Sequence, residues 1–225
     1  MLTLATLPLP AAVLFDLDGT LVDTADDLGA ALNHVLTVHG LPTCSATQYR
    51  PVASHGAKGL LELGFGTRLA AYDFALLRQQ FLSYYASHLC VHSRIFLGGA
   101  ELIAALDQRG IRWGIVTNKP YKLAAAMLRQ LPELASCALL LGGDSLAQRK
   151  PDPTPLWVAS HTLKVAAADC WYLGDAQRDI DAGNRAGMTT MLAGFGYLAS
   201  TDQPQYWHAD LTINSLAELI PVFTS

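Results

Sequence analysis

Four groups of residues in this chain have the types and spacing to do chemistry together. They are Asp16 and Asp18 ahead of Gly19 and Thr20, Thr117 with Asn118, Lys150 ahead of Pro151, and Asp175 with Asp179. Two carboxylates so close repel unless a cation lies between them, and hard oxygen donors suit Mg²⁺. Phosphoryl transfer needs a nucleophile, a divalent cation and fixed positive groups around the transferring oxygens, and these residue types supply that set. Asp16 would be the nucleophile, forming an aspartyl-phosphate, while Asp18 would protonate the departing alkoxide and later deprotonate the attacking water. Thr117 and Lys150 would hold the phosphoryl oxygens, with the Asn118 amide at the same edge. Asp175, with Asp16 and the Asp18 carbonyl, would ligate Mg²⁺. Asp179, four residues beyond Asp175, could reach Asp175, the metal's surroundings or Lys150, and Gly19 and Thr20 support the opening turn. Each group alone has an ordinary alternative: an Asp-Gly turn with a solvated acid, a threonine helix cap, a surface lysine, or acids that stabilise a helix start.

Those groups need elements to position them. Ala12 to Phe15 is a continuous apolar run, the pattern of a strand buried on both faces, and it delivers Asp16 and Asp18 to its C-terminal end, where open α/β sheets bind ligands. From Gly98 onward, helices and strands alternate: helix over 101–108 closed by Gly110, strand 111–116, helix 121–130, strand 138–141, helix 155–163, strand 170–173, helix 176–186 closed by Gly187, strand 189–192, then a last strand over 210–213 and helix over 216–222. That order predicts a parallel sheet with right-handed crossovers.

Between the first strand and this alternation lies a block with no strand pattern. Asp23 to His39 reads as a helix, with Thr24 as N-cap, Leu28, Leu32, Val35 and Leu36 at helical spacing, and a stop at Gly40 before Pro42. Residues 45–52, 58–63 and 72–89 continue as helix. The expected architecture is therefore a Rossmann-like parallel core, residues 1–20 and 91–225, carrying an inserted α-helical cap, residues 21–90. Within the cap, the turn Ser54-His55-Gly56-Ala57-Lys58-Gly59 could bring backbone N–H groups and the Lys58 cation toward an anion on the substrate, with Gly56 and Gly59 giving the backbone freedom; a solvated turn is the alternative.

Composition narrows the partners. The 225 residues, 51% apolar, suffice for one sizeable domain or a core with an insert, and the net charge of −4 with no Lys/Arg block argues against nucleic acid or an anionic membrane. A small phosphorylated metabolite is the better expectation, bound by a monomer or homodimer. The N-terminus, residues 1–10, lacks a basic region and is broken by Pro8 and Pro10, so it reads as a lead-in to the first strand rather than a signal peptide. No apolar run approaches the ~20 residues of a membrane span. Cys44, Cys90, Cys137 and Cys170 lack metal-type spacing and read as free thiols of a cytoplasmic protein, disulfides being the alternative. His34, His39, His88 and His161 read as surface or capping residues, His55 and His92 as candidates to face the cleft, and Tyr197, Tyr206 and Trp207 as packing around the last strand.

Asp16-Leu17-Asp18-Gly19-Thr20-Leu21-Val22, Thr117-Asn118-Lys119-Pro120, Lys150-Pro151-Asp152-Pro153 and Gly174-Asp175 with Asp179 resemble the four ordered motifs of the haloacid dehalogenase superfamily phosphatases. The helical insert stands where that family's type-one cap belongs, so the resemblance spans nearly the whole chain. Val116-Thr117-Asn118-Lys119-Pro120 and Gly142-Gly143-Asp144 are similar to phosphoglycolate phosphatases. Val91-His92-Ser93, Trp113 to Pro120, Arg178-Asp179-Ile180 and Gly196-Tyr197 resemble more closely the N-acetylmuramic acid 6-phosphate phosphatase branch used in cell-wall recycling. The resemblance implies a Mg²⁺-dependent phosphomonoester hydrolase with the roles given above. Competing readings are a phospho-accepting receiver module, which explains the acids but neither Asp18 nor the insert, a dehalogenase, which does not require Asp18, and a sugar-phosphate mutase, which keeps all four motifs.

Overall fold

A computed structural model describes residues 3–224; of the N-terminal lead-in, Met1 and Leu2 lie outside them. The centre of the fold is strand β1 (Ala12–Phe15), buried along its whole length. It is flanked by β4 (Arg112–Val116) and β6 (Cys170–Gly174), both parallel to it. With β5 (Leu139–Leu141), β7 (Thr189–Ala193) and β8 (Leu211–Ile213) they form a six-stranded sheet in the order β5-β4-β1-β6-β7-β8. The chain builds outward from β1 first on one side and then on the other, which opens a crevice at the C-terminal end of β1. Successive residues of β1 serve opposite faces, as strand pleating requires. Val13 and Phe15 join Trp113, Ile115, Trp171 and residues of α5 (Gly99–Gln108), α6 (Tyr121–Leu128) and α9 (Ile220–Thr224). Ala12 and Leu14 pack with Tyr172 against α7 (Thr154–Thr162) and α8 (Gln177–Ala186).

The helical block comprises α1 (Ala25–Val38), α2 (Ala46–Tyr49), α3 (Gly56–Phe65) and α4 (Phe74–Ser87). The apolar positions that marked α1 in the sequence, Leu28, Leu32, Val35 and Leu36, are all buried, packed with Leu60, Phe65, Leu77 and Phe81 of α3 and α4. The proposed anion turn around Lys58 is a correction: a 3-10 helix, Arg50–His55, runs directly into α3, so Lys58 and Gly59 lie in the first helical turn. Gly56 makes the change of direction at φ +60°, a conformation that costs glycine little.

The link between block and sheet, expected at its far end over Cys90 to Leu97, is a short ribbon. Val22–Asp23 (β2) and Arg94–Ile95 (β3) pair antiparallel as a two-residue ribbon, too short for any periodicity to register. Thr24 holds the N-cap position of α1, but its hydroxyl donates to Asp18 rather than capping the helix. The first amides of the helix are satisfied instead by Tyr197, whose hydroxyl accepts from Thr24 N (2.6 Å) and Ala25 N (2.9 Å) and donates to Asp23 (2.8 Å). Tyr197 is thus a buried staple at the neck rather than packing for the last strand; Tyr206 is exposed, and Trp207 packs with Ile180 and Leu192. On the second side of the neck, Asp27 accepts from His92 N, Ser93 N and Ser93 Oγ, so His92 is exposed and outside the cleft. The four cysteines are free thiols, and no helix among the described residues is long and apolar enough to cross a membrane.

Tyr197→Phe keeps the ring but leaves two buried amides without their hydroxyl acceptor. It should cost about 1–3 kcal/mol, read as a lower denaturant midpoint at unchanged slope. An unchanged midpoint would show that water or Asp23 replaces the hydroxyl.

Candidate active site

In-register pairing sets the site. Phe15 lies beside Ile115 on one side and Leu173 on the other, so the residues that follow in β1, β4 and β6 emerge together at one edge. Asp16 N donates to Leu173 O at 2.8 Å and Thr117 N to Leu141 O at 2.9 Å, fixing where both side chains leave the sheet. The structure therefore brings Asp16, Thr117 and Asp175 to a common crevice, as the strand ends predicted. Lys150 enters from the loop after β5, across a cis Lys150–Pro151 peptide.

The Lys150 ammonium is buried and contacts Asp16 Oδ1 (3.0 Å), Asp179 Oδ1 (2.8 Å), Val116 O (2.8 Å) and the Tyr172 hydroxyl (2.7 Å). Four acceptors exceed its three protons, so its charge is committed to holding two carboxylates. Asp179 also caps α8, accepting from Ala176 N at 3.0 Å. Burial alone would raise the Asp179 carboxyl, but Lys150 and Arg178 beside it bring it below the ordinary carboxylate value.

Asp16, Asp175 and Asp179 place ligand oxygens within 4.8 Å of one another, all buried. Asp175 receives Ser54 Oγ and Tyr197 N (2.9 Å) on one oxygen and Thr20 Oγ1 (3.4 Å) on the other, but among the described residues no cation pairs with it. Burial, then the charges of Asp179 and Asp16, push its carboxyl up to about 7, against weaker opposition from Ser54 and Arg178. A dry group of hard oxygen donors with one acid left uncompensated fits a divalent cation such as Mg²⁺. The turn is shaped for it: at Gly19, with φ +82°, an added Cβ would lie 2.2 Å from Asp175 Oδ2.

Asp18 stands apart from this cluster. Its Oδ1 accepts from Lys119 Nζ (2.8 Å) and Thr24 Oγ1 (2.7 Å). Its carboxylate is thus held by a cation and a hydroxyl, leaving only its carbonyl for the metal role the sequence suggested. Lys119 is itself buried, donating to the Tyr85 hydroxyl of α4 (2.8 Å) and lying 4.4 Å from that ring's centroid. Thr117 Oγ1 accepts from Lys119 N at 3.2 Å, so its proton remains available to a ligand. Asn118 Nδ2 instead donates to Lys150 O at 3.0 Å, tying the two loops together.

Asp16, Asp18, Thr117, Asn118, Lys119 and Lys150 floor a chamber of about 410 Å³ whose other wall is the helical block. Gly56, His55 and Lys58 border it, Lys58 being largely exposed and 3.8 Å from Glu62. Sequence reasoning assigned nothing to Lys119, Tyr85, Ser54 or Arg178. Lys119 and Arg178 stand inside the quoted motifs, and the surplus of acids over cations at the strand ends was the signal that could have found them. Arg178 Nη2 donates to Ser54 O at 2.8 Å. Tyr85 carried no local signal, and Ser54 stood only as the first residue of the glycine-lysine stretch.

Residues 13–193 match the family model described as haloacid dehalogenase-like hydrolase. The chain is 44% identical over 210 residues to a phosphoglycolate phosphatase of Xanthomonas campestris pv. campestris, covering 93% of this chain and 95% of the relative. It is 38% identical over 211 residues to an N-acetylmuramic acid 6-phosphate phosphatase of Pseudomonas aeruginosa, covering 94% and 93%. Among solved structures, a predicted phosphoglycolate phosphatase from Haemophilus somnus superposes with a TM-score of 0.84 at 28% identity, covering 94% of this chain and 97% of that one.

The raised Asp175 carboxyl would make the binding of a cation there pH-dependent. Between the ordinary value of 3.8 and about 7, the folded metal-free protein retains a proton that the unfolded chain has lost, so this group's contribution to stability falls as pH rises through that window. A cation must displace that proton at low pH but relieves unscreened repulsion at high pH. The increase in melting temperature on adding Mg²⁺ should therefore be larger at about pH 8 than at about pH 5.5, with apparent affinity falling roughly tenfold per pH unit below the Asp175 value. Equal increases at both would place the cation elsewhere.

Proposed function

We propose, from the premise that this chain belongs to the haloacid dehalogenase-like hydrolase family and is a phosphoric monoester hydrolase, that it is Mg²⁺-dependent and works through a phosphorylated Asp16. Two observations support the reading together: Asp16 lies in the three-carboxylate cluster, and Asp18, two residues on, is held outside it by Lys119 and Thr24. One acid is thereby equipped as nucleophile and its neighbour as proton carrier. Asp16 Oδ1 accepts from Leu17 N (2.8 Å) and Lys150, leaving Oδ2 without a donor and free to attack phosphorus. As the P–O bond to the leaving group breaks, Asp18 gives its proton to the departing oxygen. It then takes a proton from water, whose oxygen attacks the aspartyl-phosphate to release inorganic phosphate and restore the Asp16 carboxylate. Thr117 would donate to a phosphoryl oxygen, and Lys150 keeps Asp16 aligned while offsetting the acids.

Asp16, Asp175 and the Asp18 carbonyl would hold the cation, with Asp179 behind them through Lys150. When bound, Mg²⁺ supplies the positive charge that lets an anionic phosphoryl group approach three carboxylates. Residues 21–90 act in this reading as a cap on a core formed by 1–20 and 91–225, closing over the crevice and excluding water. The substrate is a small phosphomonoester, for which the acids named in the relatives, phosphoglycolate and N-acetylmuramic acid 6-phosphate, are the candidates. Receiver and mutase readings gain nothing here, since the phosphatase relatives cover nearly the whole chain.

Asp16→Asn removes the nucleophile while keeping its size. Phosphate release from an aryl phosphate should fall far below about a tenth of wild type, with the melting profile retained. Activity at or above that level would remove Asp16 from the nucleophile's role.

A further inference from the structure

Two cations in the chamber have no part in the reaction above. Arg78, on α4, and Arg149, in the loop that ends at Lys150, both line it. Among the described residues neither guanidinium has a hydrogen-bond, ion-pair or ring partner. The other bordering cations are engaged: Lys150 by Asp16 and Asp179, Lys119 by Asp18 and Tyr85, Arg178 by the Ser54 carbonyl, and Lys58 more loosely by Glu62. A free guanidinium presents a rigid fork of donors matched to a planar carboxylate. The two arginines come from different halves of the fold, so a ligand that meets both must bridge helical block and sheet. Leu28, Phe81, Leu82 and Leu123 give the same chamber an apolar share of its lining. At about 410 Å³ the chamber falls within the roughly 300–1,000 Å³ of sites that enclose drug-sized molecules. A two-carbon acid would leave most of that volume, and its apolar lining, in contact with water.

We propose that Arg78 and Arg149 form a distal anion site that reads a carboxylate on the leaving group of a sugar-sized phosphomonoester. This rests on the phosphatase reading and deepens it, giving the substrate class: a phosphate ester at one end, a sugar-sized middle, and a carboxylate at the far end. The phosphoryl group meets the sheet edge, which recognises nothing of the leaving group. Selectivity then resides in the two arginines.

The test is phosphate release from three esters: N-acetylmuramic acid 6-phosphate, N-acetylglucosamine 6-phosphate, which differs by lacking the lactyl carboxylate, and phosphoglycolate. The wild-type enzyme should favour the acidic sugar over the neutral one and over phosphoglycolate in kcat/KM. Arg78→Gln and Arg149→Gln should each lower the acidic-to-neutral ratio about ten- to a hundred-fold, mainly through KM, as expected for one lost charge-assisted hydrogen-bond pair. Lys58→Ala, whose charge is shared with Glu62, should lower it less. Both arginines are exposed, so melting curves of the variants should overlay the wild type and the ratio remain measurable. Equal kcat/KM for the two sugars in the wild type, a ratio retained in both arginine variants, or a preference for phosphoglycolate would each overturn the distal site. Failure to release phosphate even from an aryl phosphate would instead bring down the phosphatase reading itself.

Discussion

The buried ammonium of Lys150 is the contact on which this site depends. Three carboxylates drawn from β1 and from the start of α8 cannot remain ionised in a dry crevice without a counter-charge, since removing each ion from water costs several kcal/mol. Lys150 answers for two of them, Asp16 and Asp179, and a backbone carbonyl and the Tyr172 hydroxyl hold it in place. Asp175 is left with hydroxyl and amide donors, and its carboxyl rises to about 7. Three carboxylates against one ammonium leave the cluster short of neutrality. That shortfall fits a dissociable divalent cation better than a second lysine, because a cation can bind substrate oxygens as well as the protein.

The second constraint is the neck. Polar groups from the helical block reach the chemistry at three places: Ser54 donates to Asp175, Thr24 donates to Asp18, and the Tyr85 hydroxyl accepts from Lys119, which in turn holds Asp18. Tyr197 joins these to the ribbon, its backbone N–H on Asp175 and its hydroxyl on Asp23 and the start of α1. Any swing of the block about the ribbon would have to break or remake these hydrogen bonds. The position of the block and the arrangement of Asp175 and Asp18 are accordingly coupled through named contacts rather than through the fold at large.

Much of this was legible because the relevant signals are local. The apolar run of β1, the glycine at the end of α1 and the strand-helix alternation after Gly98 each lie within a dozen residues, and each element formed where its pattern stood, within a residue or two, except the last helix, which is a 3-10 turn (Leu216–Leu219) leading into α9. Carboxylates and a lysine at successive strand ends were legible for the same reason. What escaped was short, or distant in sequence. The two-residue ribbon has no period to detect. Lys119 stands within a motif, but nothing along the chain ties it to Tyr85, 34 positions away. Thr24 has the identity of an N-cap and the place of one, yet a nearby carboxylate took its hydroxyl and a tyrosine 173 residues on took the amides. The glycine-lysine stretch at 56–59 looked like a turn because its two glycines outweighed the helical pattern around them, whereas the burial of Leu60 and Leu61 continues the helix through it.

The sequence by itself determined the parallel sheet, the helical insert and the edge at which the reactive residues gather, because the succession of strands and helices and the pleat follow from hydrophobic periodicity and the alternation implies right-handed crossovers. The tertiary structure alone decided how charge is shared there: which acid Lys150 neutralises, which is left for a cation, and which is set apart by Lys119. Pairing of charges depends on distances of a few ångströms between groups more than a hundred residues apart, such as Lys119 and Asp18. Coulomb energy in a dry interior changes by several kcal/mol over that range, so no pattern along the chain encodes it.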